Sequence, residues 1–192
     1  MLPGLADPVL DSQTIFRGVL EAVAHPGRVV EVAAPSAAPA GIAPASAAVC
    51  LTLLDFETPT WLDAGAATDE TIGWLRFHCG CPLVPDSGRA RFALITEPDL
   101  MPALDDFDAG ADEYPDRSAT LIVQTRGLAA GAGRRLTGPG IAGEVRLDVI
   151  GLPERFWSQL AANHARFPRG VDVILTAGRA LAALPRTTRV EA

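Results

Sequence analysis

Two arginines flank two threonines in the segment Arg186-Thr187-Thr188-Arg189. The segment follows an apolar run, Arg179 to Leu184, that predicts a buried strand. Hydrogen-bond donors at the end of a strand are where α/β proteins commonly receive anions. Alternation along an extended chain would place Arg186 and Thr188 on one face, as a donor patch for a carboxylate, a phosphate or a partner's acidic surface. The alternative is a solvated segment whose arginines contact only water.

Arg76 and His78 are a second pair of candidate ligand- or partner-binding residues. They lie near the end of a helix that is predicted to begin at Thr68. Two residues apart on a helix, they face roughly opposite directions and cannot form one catalytic pair unless the helix ends early. His78 could also simply complement the helix dipole. The residues alone therefore identify no catalytic site.

The cluster His78-Cys79-Gly80-Cys81 has the ligand types that zinc prefers. A structural zinc site needs four ligands, however, and the only other candidates are Cys50, His25 and His164. Cys-x-Cys at a helix end is also poor chelating geometry. We predict no metal site and interpret Cys79 as part of a helix core.

Composition limits the classes of function. The 192 residues are 48% hydrophobic and 20% charged, which predicts one ordered domain spanning 1–192. The net charge of −7 argues against a nucleic-acid-binding protein. All 16 basic residues are arginine, so this chain cannot form a Schiff base, attach pyridoxal phosphate covalently or supply a P-loop lysine.

Nothing in the sequence predicts membrane insertion or secretion. The longest uncharged stretch, Val32 to Leu54, carries three prolines and is only weakly apolar, so we interpret it as a loop leading into a buried helix. The number of cysteines is odd, and the sequence does not begin with the basic and then apolar segments of a signal peptide. Both observations predict a cytoplasmic protein.

The order of patterns predicts an α/β fold with three layers, a mixed sheet flanked by helices. The acidic segment Pro98 to Pro115 is predicted to be a solvated loop, and Thr137 to Gly140 a turn rather than a phosphate-binding loop. Met1 to Pro8 is expected to be a loose lead-in. Helices are predicted to begin near Asp11, Ala45, Thr68 and Pro153, and strands over 28–32, 58–62, 91–96, 119–124, 134–136, 144–150, 171–176 and 179–184.

Several short motifs resemble those of one family, in the same order along the chain. They are His25-Pro26-Gly27, Leu51 to Asp55 with Thr58 to Leu62, Arg76-Phe77-His78 with Pro82-Leu83-Val84, Ala119 to Ile122, Leu136 to Ile141, and Phe167-Pro168 with Leu184 to Thr188. With these motifs the chain resembles the PhnH family, a component of the bacterial carbon–phosphorus lyase system for phosphonate breakdown. The resemblance covers essentially the whole chain.

The resemblance implies a fold of the pyridoxal-phosphate-dependent-transferase type that has lost its cofactor, so we expect no cofactor. It also implies a homodimer that joins a core complex with three partner subunits. That complex couples a phosphonate to C1 of the ATP ribose and expels adenine, with the chemistry credited to a partner subunit. This chain would then be a structural or regulatory member. The alternative is a stand-alone transferase or anion-binding enzyme that uses the vestigial pocket.

Overall fold

The computed structural model describes residues 2–191; Met1 and Ala192, the ends of the predicted domain, lie outside the described residues. Four helices are present in the described part: α1 (Pro8–Ala24), α2 (Pro44–Leu53), α3 (Asp69–His78) and α4 (Glu154–Ala165). The strands are β1 (Val30–Glu31), β2 (Thr60–Leu62), β3 (Phe92–Ile95), β4 (Thr120–Gln124), β5 (Gly127–Thr137), β6 (Val145–Ile150), β7 (Asp172–Ala177), β8 (Ala180–Leu184) and β9 (Arg189–Glu191).

Six strands form the main sheet, in the order β1-β8-β7-β4-β3-β2. β2, β3, β4 and β7 are parallel, whereas β8 runs antiparallel to both β7 and β1. β7 and β8, which correspond to the strands predicted over 171–176 and 179–184, form a hairpin that turns at Gly178, a residue with a positive φ of 56°.

Side chains of the main sheet alternate between two apolar layers. Ile122 and Ile174 point into a core that α1, α2 and α3 complete. Their neighbours Leu121 and Val173 point into a second core, which contains Phe156, Trp157 and Leu160 of α4. Strands buried on both faces are apolar at nearly every position, which is why the sequence pattern revealed them. The predicted α/β architecture with helices on both faces is therefore confirmed.

A smaller sheet has the order β6-β5-β9. The sequence predicted only 134–136 of β5, because the first half of this strand is glycine and alanine with no apolar alternation. It did not predict β9, which pairs with β5 through Thr137 and Arg189.

Helix starts differ from their predicted positions for local reasons. α1 begins before Asp11, because the Oδ1 atom of Asp7 accepts hydrogen bonds from the backbone N–H groups of Val9 and Leu10 at 3.0 Å. Pro153 is the N-cap of α4 rather than its first helical residue. The predicted cap of α3 is confirmed, since Thr68 Oγ1 accepts a hydrogen bond from the N–H of Thr71 at 3.2 Å.

The apolar residues of α1 are only partly buried. Ile15 and Val19 pack into the core with Ala22. Phe16, Leu20 and Val23 are 44%, 50% and 41% exposed. With Val9 they form an exposed stripe along α1, because residues separated by three, four or seven positions share a helix face.

Two segments predicted to be loose are packed. Leu2 and Leu5 lie against the core beside the first three helices. In the acidic segment, Met101, Leu104 and Phe107 are buried under the opposite face of the sheet. No helix within residues 2–191 has both the length and the apolar character needed to cross a membrane.

Candidate functional site

Arg186 lies inside the protein rather than on a free strand end. Its guanidinium donates to both carboxylate oxygens of Asp172, to the carbonyl oxygen of Pro115 at 2.6 Å and to Ser118 Oγ at 2.6 Å. Only 13% of the side chain is exposed. The chain therefore uses this arginine to join the start of β7 to the turn before β4.

Thr188 does not join Arg186 in a donor patch. The residue is 1% exposed, and its N–H donates to the carbonyl of Pro185 at 2.8 Å, which closes a turn between β8 and β9. Strand alternation fails here because 185–188 is a turn, and this corrects the predicted geometry of the patch. Within residues 2–191 the Thr188 hydroxyl has no hydrogen-bond partner.

The other two residues of the motif, Thr187 and Arg189, line a cavity of about 370 Å³. The remaining lining residues are Gly138, Pro139, His164 and Phe167. We call this space the Arg189 cavity. Three elements converge on it: the last turn of α4 supplies His164, β9 supplies Arg189, and the turn after β5 supplies Gly138.

His164 is held in one tautomer by its neighbours. Its Nδ1 lies 3.0 Å from the carbonyl oxygen of Arg186, and its Nε2 lies 3.1 Å from Nε of Arg189. A carbonyl can only accept and Nε–H of arginine can only donate, so the ring carries its proton on Nδ1 and accepts at Nε2. The imidazole thereby fixes the direction of the Arg189 side chain.

Gly138 permits the close approach of two chain segments at this cavity. Its φ is 133°, and a Cβ at this position would lie 2.7 Å from the carbonyl oxygen of Thr187. A larger residue would push the wall of the cavity away from β9. The predicted turn at 137–140 is confirmed, and its glycine has a specific steric reason.

Arg76 and His78 lie on α3, across the main sheet from α4 and the Arg189 cavity. Arg76 is exposed, whereas His78 is half-buried. The Nε2 atom of His78 lies 3.0 Å from the carbonyl oxygen of Leu2, and its ring packs edge-on against Trp74. The structure thus separates these two candidates from Arg186 and Thr188.

A second cavity, of about 430 Å³, lies at the carboxyl ends of β3 and β4. Asp63 shapes it: this 5% exposed carboxylate accepts from the N–H groups of Ala66, Thr96 and Glu97 at 2.7–2.8 Å. Polar residues directly after apolar strands are a known signal of such sites. The same signal that drew attention to Arg186 is therefore also present in the sequence after β3 and β4. Glu97, Asp99 and Arg126 give the cavity mixed charge.

The three cysteines are neutral thiols in the folded protein. Burial, with a smaller contribution from the neighbouring Cys81, raises the pKa of Cys79 from 9.0 to about 12. Burial likewise raises the pKa of Cys50 and of Cys81. Cys79 is the C-cap of α3 and packs, partly buried, against the core that this helix completes. Across residues 2–191, no group of three or more His, Cys, Asp or Glu side chains is placed to hold a metal ion.

Comparisons with known proteins cover nearly the whole chain. The profile of the family described as "Bacterial phosphonate metabolism protein (PhnH)" matches residues 3–191. A subunit of alpha-D-ribose 1-methylphosphonate 5-triphosphate synthase from Rhizobium meliloti (strain 1021), also called PhnH, is 40% identical over 186 residues, 97% of this chain and 93% of the relative. A putative C-P lyase subunit, HtxG of Stutzerimonas stutzeri, is 33% identical over 178 residues, 93% of this chain and 85% of the relative.

Proposed function

Since this chain belongs to the PhnH family of bacterial phosphonate metabolism proteins, we propose that it is a subunit of a carbon–phosphorus lyase core complex. The complex would couple a phosphonate to C1 of the ATP ribose. An oxygen of the phosphonate bonds to C1 while the bond from C1 to the adenine nitrogen breaks. Adenine leaves with the bonding electrons and takes up a proton, and ribose 1-phosphonate 5-triphosphate remains.

One observation carries this proposal: the near full-length identity of 40% to a subunit of a synthase named for that product. The match covers 97% of this chain and 93% of the relative, and the family profile matches residues 3–191. We therefore infer that this chain, like the relative, is a subunit of the complex, and not only that the two proteins share a fold.

We place the chemistry in the assembled complex rather than in this chain alone. Arg186, the more buried arginine of the segment 186–189, donates to Asp172 and Ser118, which supports a structural role. The thiols are held protonated by burial, which makes them poor nucleophiles. In this proposal the terms transferase and lyase describe the complex.

Adenine release tests the proposal directly. The partner subunits are purified with and without this chain, and each preparation receives ATP and methylphosphonate. We expect adenine only when the partners and this chain are present together. Release by the isolated chain would instead support the stand-alone transferase or anion-binding enzyme, and full release by the partners alone would show that the chain is not needed.

We also propose that the isolated chain is a homodimer that uses the exposed stripe of α1. Val9, Phe16, Leu20 and Val23 present four apolar side chains, each at least 41% exposed, on one helix face. A second copy could cover them, because a two-fold pair brings the same surface of both chains together. In the complete complex the other subunits would be the further partners.

Sedimentation tests the dimer. Phe16→Ser should shift the chain from twice its mass of 20.1 kDa to the monomer. Leu100→Ser is the matched control, because Leu100 is 76% exposed but lies outside α1. A wild-type chain that sediments only as a monomer at micromolar concentration would contradict the proposal, and an unshifted Phe16→Ser dimer would place the interface elsewhere.

Two finer features belong to the same proposal. We infer a relationship to the pyridoxal-phosphate-dependent transferases, supported by the helices on both faces of a mixed sheet. The absence of lysine from the chain agrees with loss of the cofactor in this branch. We also place the protein in the cytoplasm, where free thiols such as its three cysteines stay reduced.

A further inference from the structure

The Arg189 cavity differs in charge from four other cavities of this acidic protein. Its lining contains one arginine and one histidine and no carboxylate. Each of four other cavities has at least one carboxylate in its lining: Glu97 and Asp99, Asp69 and Glu70, Asp116 and Asp172, or Glu144. In a chain with net charge −7, a cavity without a carboxylate is a local site for anions.

Arg189 has the donors that such a site requires. Only its Nε is used, by His164, and no carboxylate within residues 2–191 forms an ion pair with it. The two terminal nitrogens of the guanidinium thus remain as a fork that matches two oxygens of a phosphate or carboxylate. Arg186, by contrast, has no such free pair of donors, because its guanidinium donates to other groups of the protein.

The neighbours of Arg189 prepare it for binding. His164 accepts its Nε–H at 3.1 Å and is itself fixed by the carbonyl of Arg186, so the guanidinium direction is set before a ligand arrives. A side chain that is already ordered loses less entropy on binding. Thr187 lines the same cavity and adds a hydroxyl that can donate to a further anion oxygen.

The remaining walls are apolar. Phe167 is 59% exposed and lies beside Pro139 and Gly138. Exposed aromatic rings bind flat apolar groups well, because stacking covers a large area on both partners. The cavity volume of about 370 Å³ lies within the range of small-molecule sites.

We propose that the Arg189 cavity binds a small organic anion in which a phosphate or phosphonate group is joined to a flat apolar group. Arg189 and Thr187 hold the oxygens of the anion, and Phe167 and Pro139 contact the apolar group. A nucleotide has this chemistry, and so does an aryl phosphonate. The choice of these probes rests on the proposed function, whereas the anion site rests on the cavity alone.

Calorimetric titration of the purified chain, in buffer without divalent cations, tests the site. The probes are ADP, adenosine, inorganic pyrophosphate, phenylphosphonate and methylphosphonate. We expect saturable binding of ADP or phenylphosphonate below 1 mM, and binding at least about tenfold weaker for adenosine, pyrophosphate and methylphosphonate, which each lack one of the two groups. ADP alone would identify a nucleotide site, and phenylphosphonate alone a phosphonate site.

Variants assign the binding to this cavity. Arg189→Gln should weaken binding about tenfold to a hundredfold, since it removes a charge-assisted hydrogen bond. Thr187→Val is a second variant that keeps the shape and removes only the hydroxyl. Arg179→Gln is the matched control, because Arg179 is an exposed arginine in the turn between β7 and β8, outside the cavity. Melting curves check that each variant is folded.

Two results would overturn the inference. One is the absence of saturation by ADP and phenylphosphonate below 1 mM. The other is unchanged affinity in both Arg189→Gln and Thr187→Val, or an equal loss in Arg179→Gln, which would indicate attraction by overall charge only. Because adenine release is not measured, failure here leaves the subunit proposal standing, and failure of that proposal leaves this site testable.

Discussion

At the scale of single residues, Arg186 shows how a functional pattern can belong to the fold. Arginine beside threonine at the end of a strand predicts a site for anions. In the protein, the anion is the protein's own Asp172, and the arginine also donates to Ser118 and Pro115. A sequence shows which donors exist, but not which acceptors the fold brings to them.

Arg186→Ala should therefore destabilise the protein, because the arginine joins parts of the fold rather than lying free at a strand end. Asp172 would lose its cation while 33% of its side chain is exposed, so the expected loss in the free energy of unfolding is about 1–3 kcal/mol. Denaturant titration measures it. Arg179→Ala should change stability by less than about 0.5 kcal/mol. If the Arg186→Ala chain were as stable as the wild type, Arg186 would instead be a donor that is available to a partner.

The buried thiol of Cys79 predicts how the stability of the protein depends on pH. Its pKa is raised from 9.0 to about 12 on folding, so the unfolded chain releases this proton first. The folded state binds more protons between pH 9 and pH 12, and stability must fall as pH rises through this window. Melting temperatures from pH 8 upward should show a smaller fall in Cys79→Ser. Equal falls in both proteins would contradict the shifted pKa.

At the scale of elements, the sequence predicts well what is apolar on both faces. The strand predicted at 119–124 is β4, and those predicted at 171–176 and 179–184 are β7 and β8. A short run of aliphatic residues is typical of a strand that is buried on both faces. The sequence did not predict β9 or the first half of β5. Gly127 to Gly133 shows no alternation of apolar and polar residues, and Arg189 resembles a surface residue. The Arg189 cavity was not predicted for the same reason, because it forms only where β9 lies beside α4.

Two glycines in the connection between β5 and β6 allow the cost of an unfavourable backbone conformation to be distinguished from the cost of a steric clash. Gly140 and Gly143 have φ of 83° and 81°, so alanine costs about 1–2 kcal/mol at either from backbone conformation. Only at Gly140 would a Cβ also meet the chain, 2.2 Å from the carbonyl oxygen of Ala24, whereas nothing lies within 4 Å at Gly143. Gly140→Ala should therefore be the more destabilising by chemical denaturation. Equal losses would mean that the end of α1 moves away freely.

At the scale of the whole molecule, both cores share one sheet. Ile122 and Ile174 serve one core, while Leu121 and Val173, their direct neighbours on the same strands, serve the other. Composition already predicted a single domain, and the pattern of apolar strands predicted burial on both faces. Which helix covers which face was beyond the sequence, because the choice depends on crossover paths rather than on periodicity.

We expect the chain to unfold in one cooperative transition. Loss of either core would leave strands of the other without support on one face, so neither can persist alone. Calorimetry should give equal calorimetric and van't Hoff enthalpies, and fluorescence of Trp74 in one core and Trp157 in the other should change together. Two separated transitions would contradict a single folding unit across 1–192.

The position of β7 in the sheet has a consequence for synthesis of the protein. β7 lies between β4 and β8, although both β7 and β8 follow the other four strands of this sheet along the chain. Ala177, the end of β7, lies 53 positions after Gln124, the end of β4. At translation rates of about 5–20 residues per second, the apolar edge of β4 on a nascent chain waits roughly 3–10 s for its neighbour. During that interval a ribosome-associated chaperone has an exposed strand to protect.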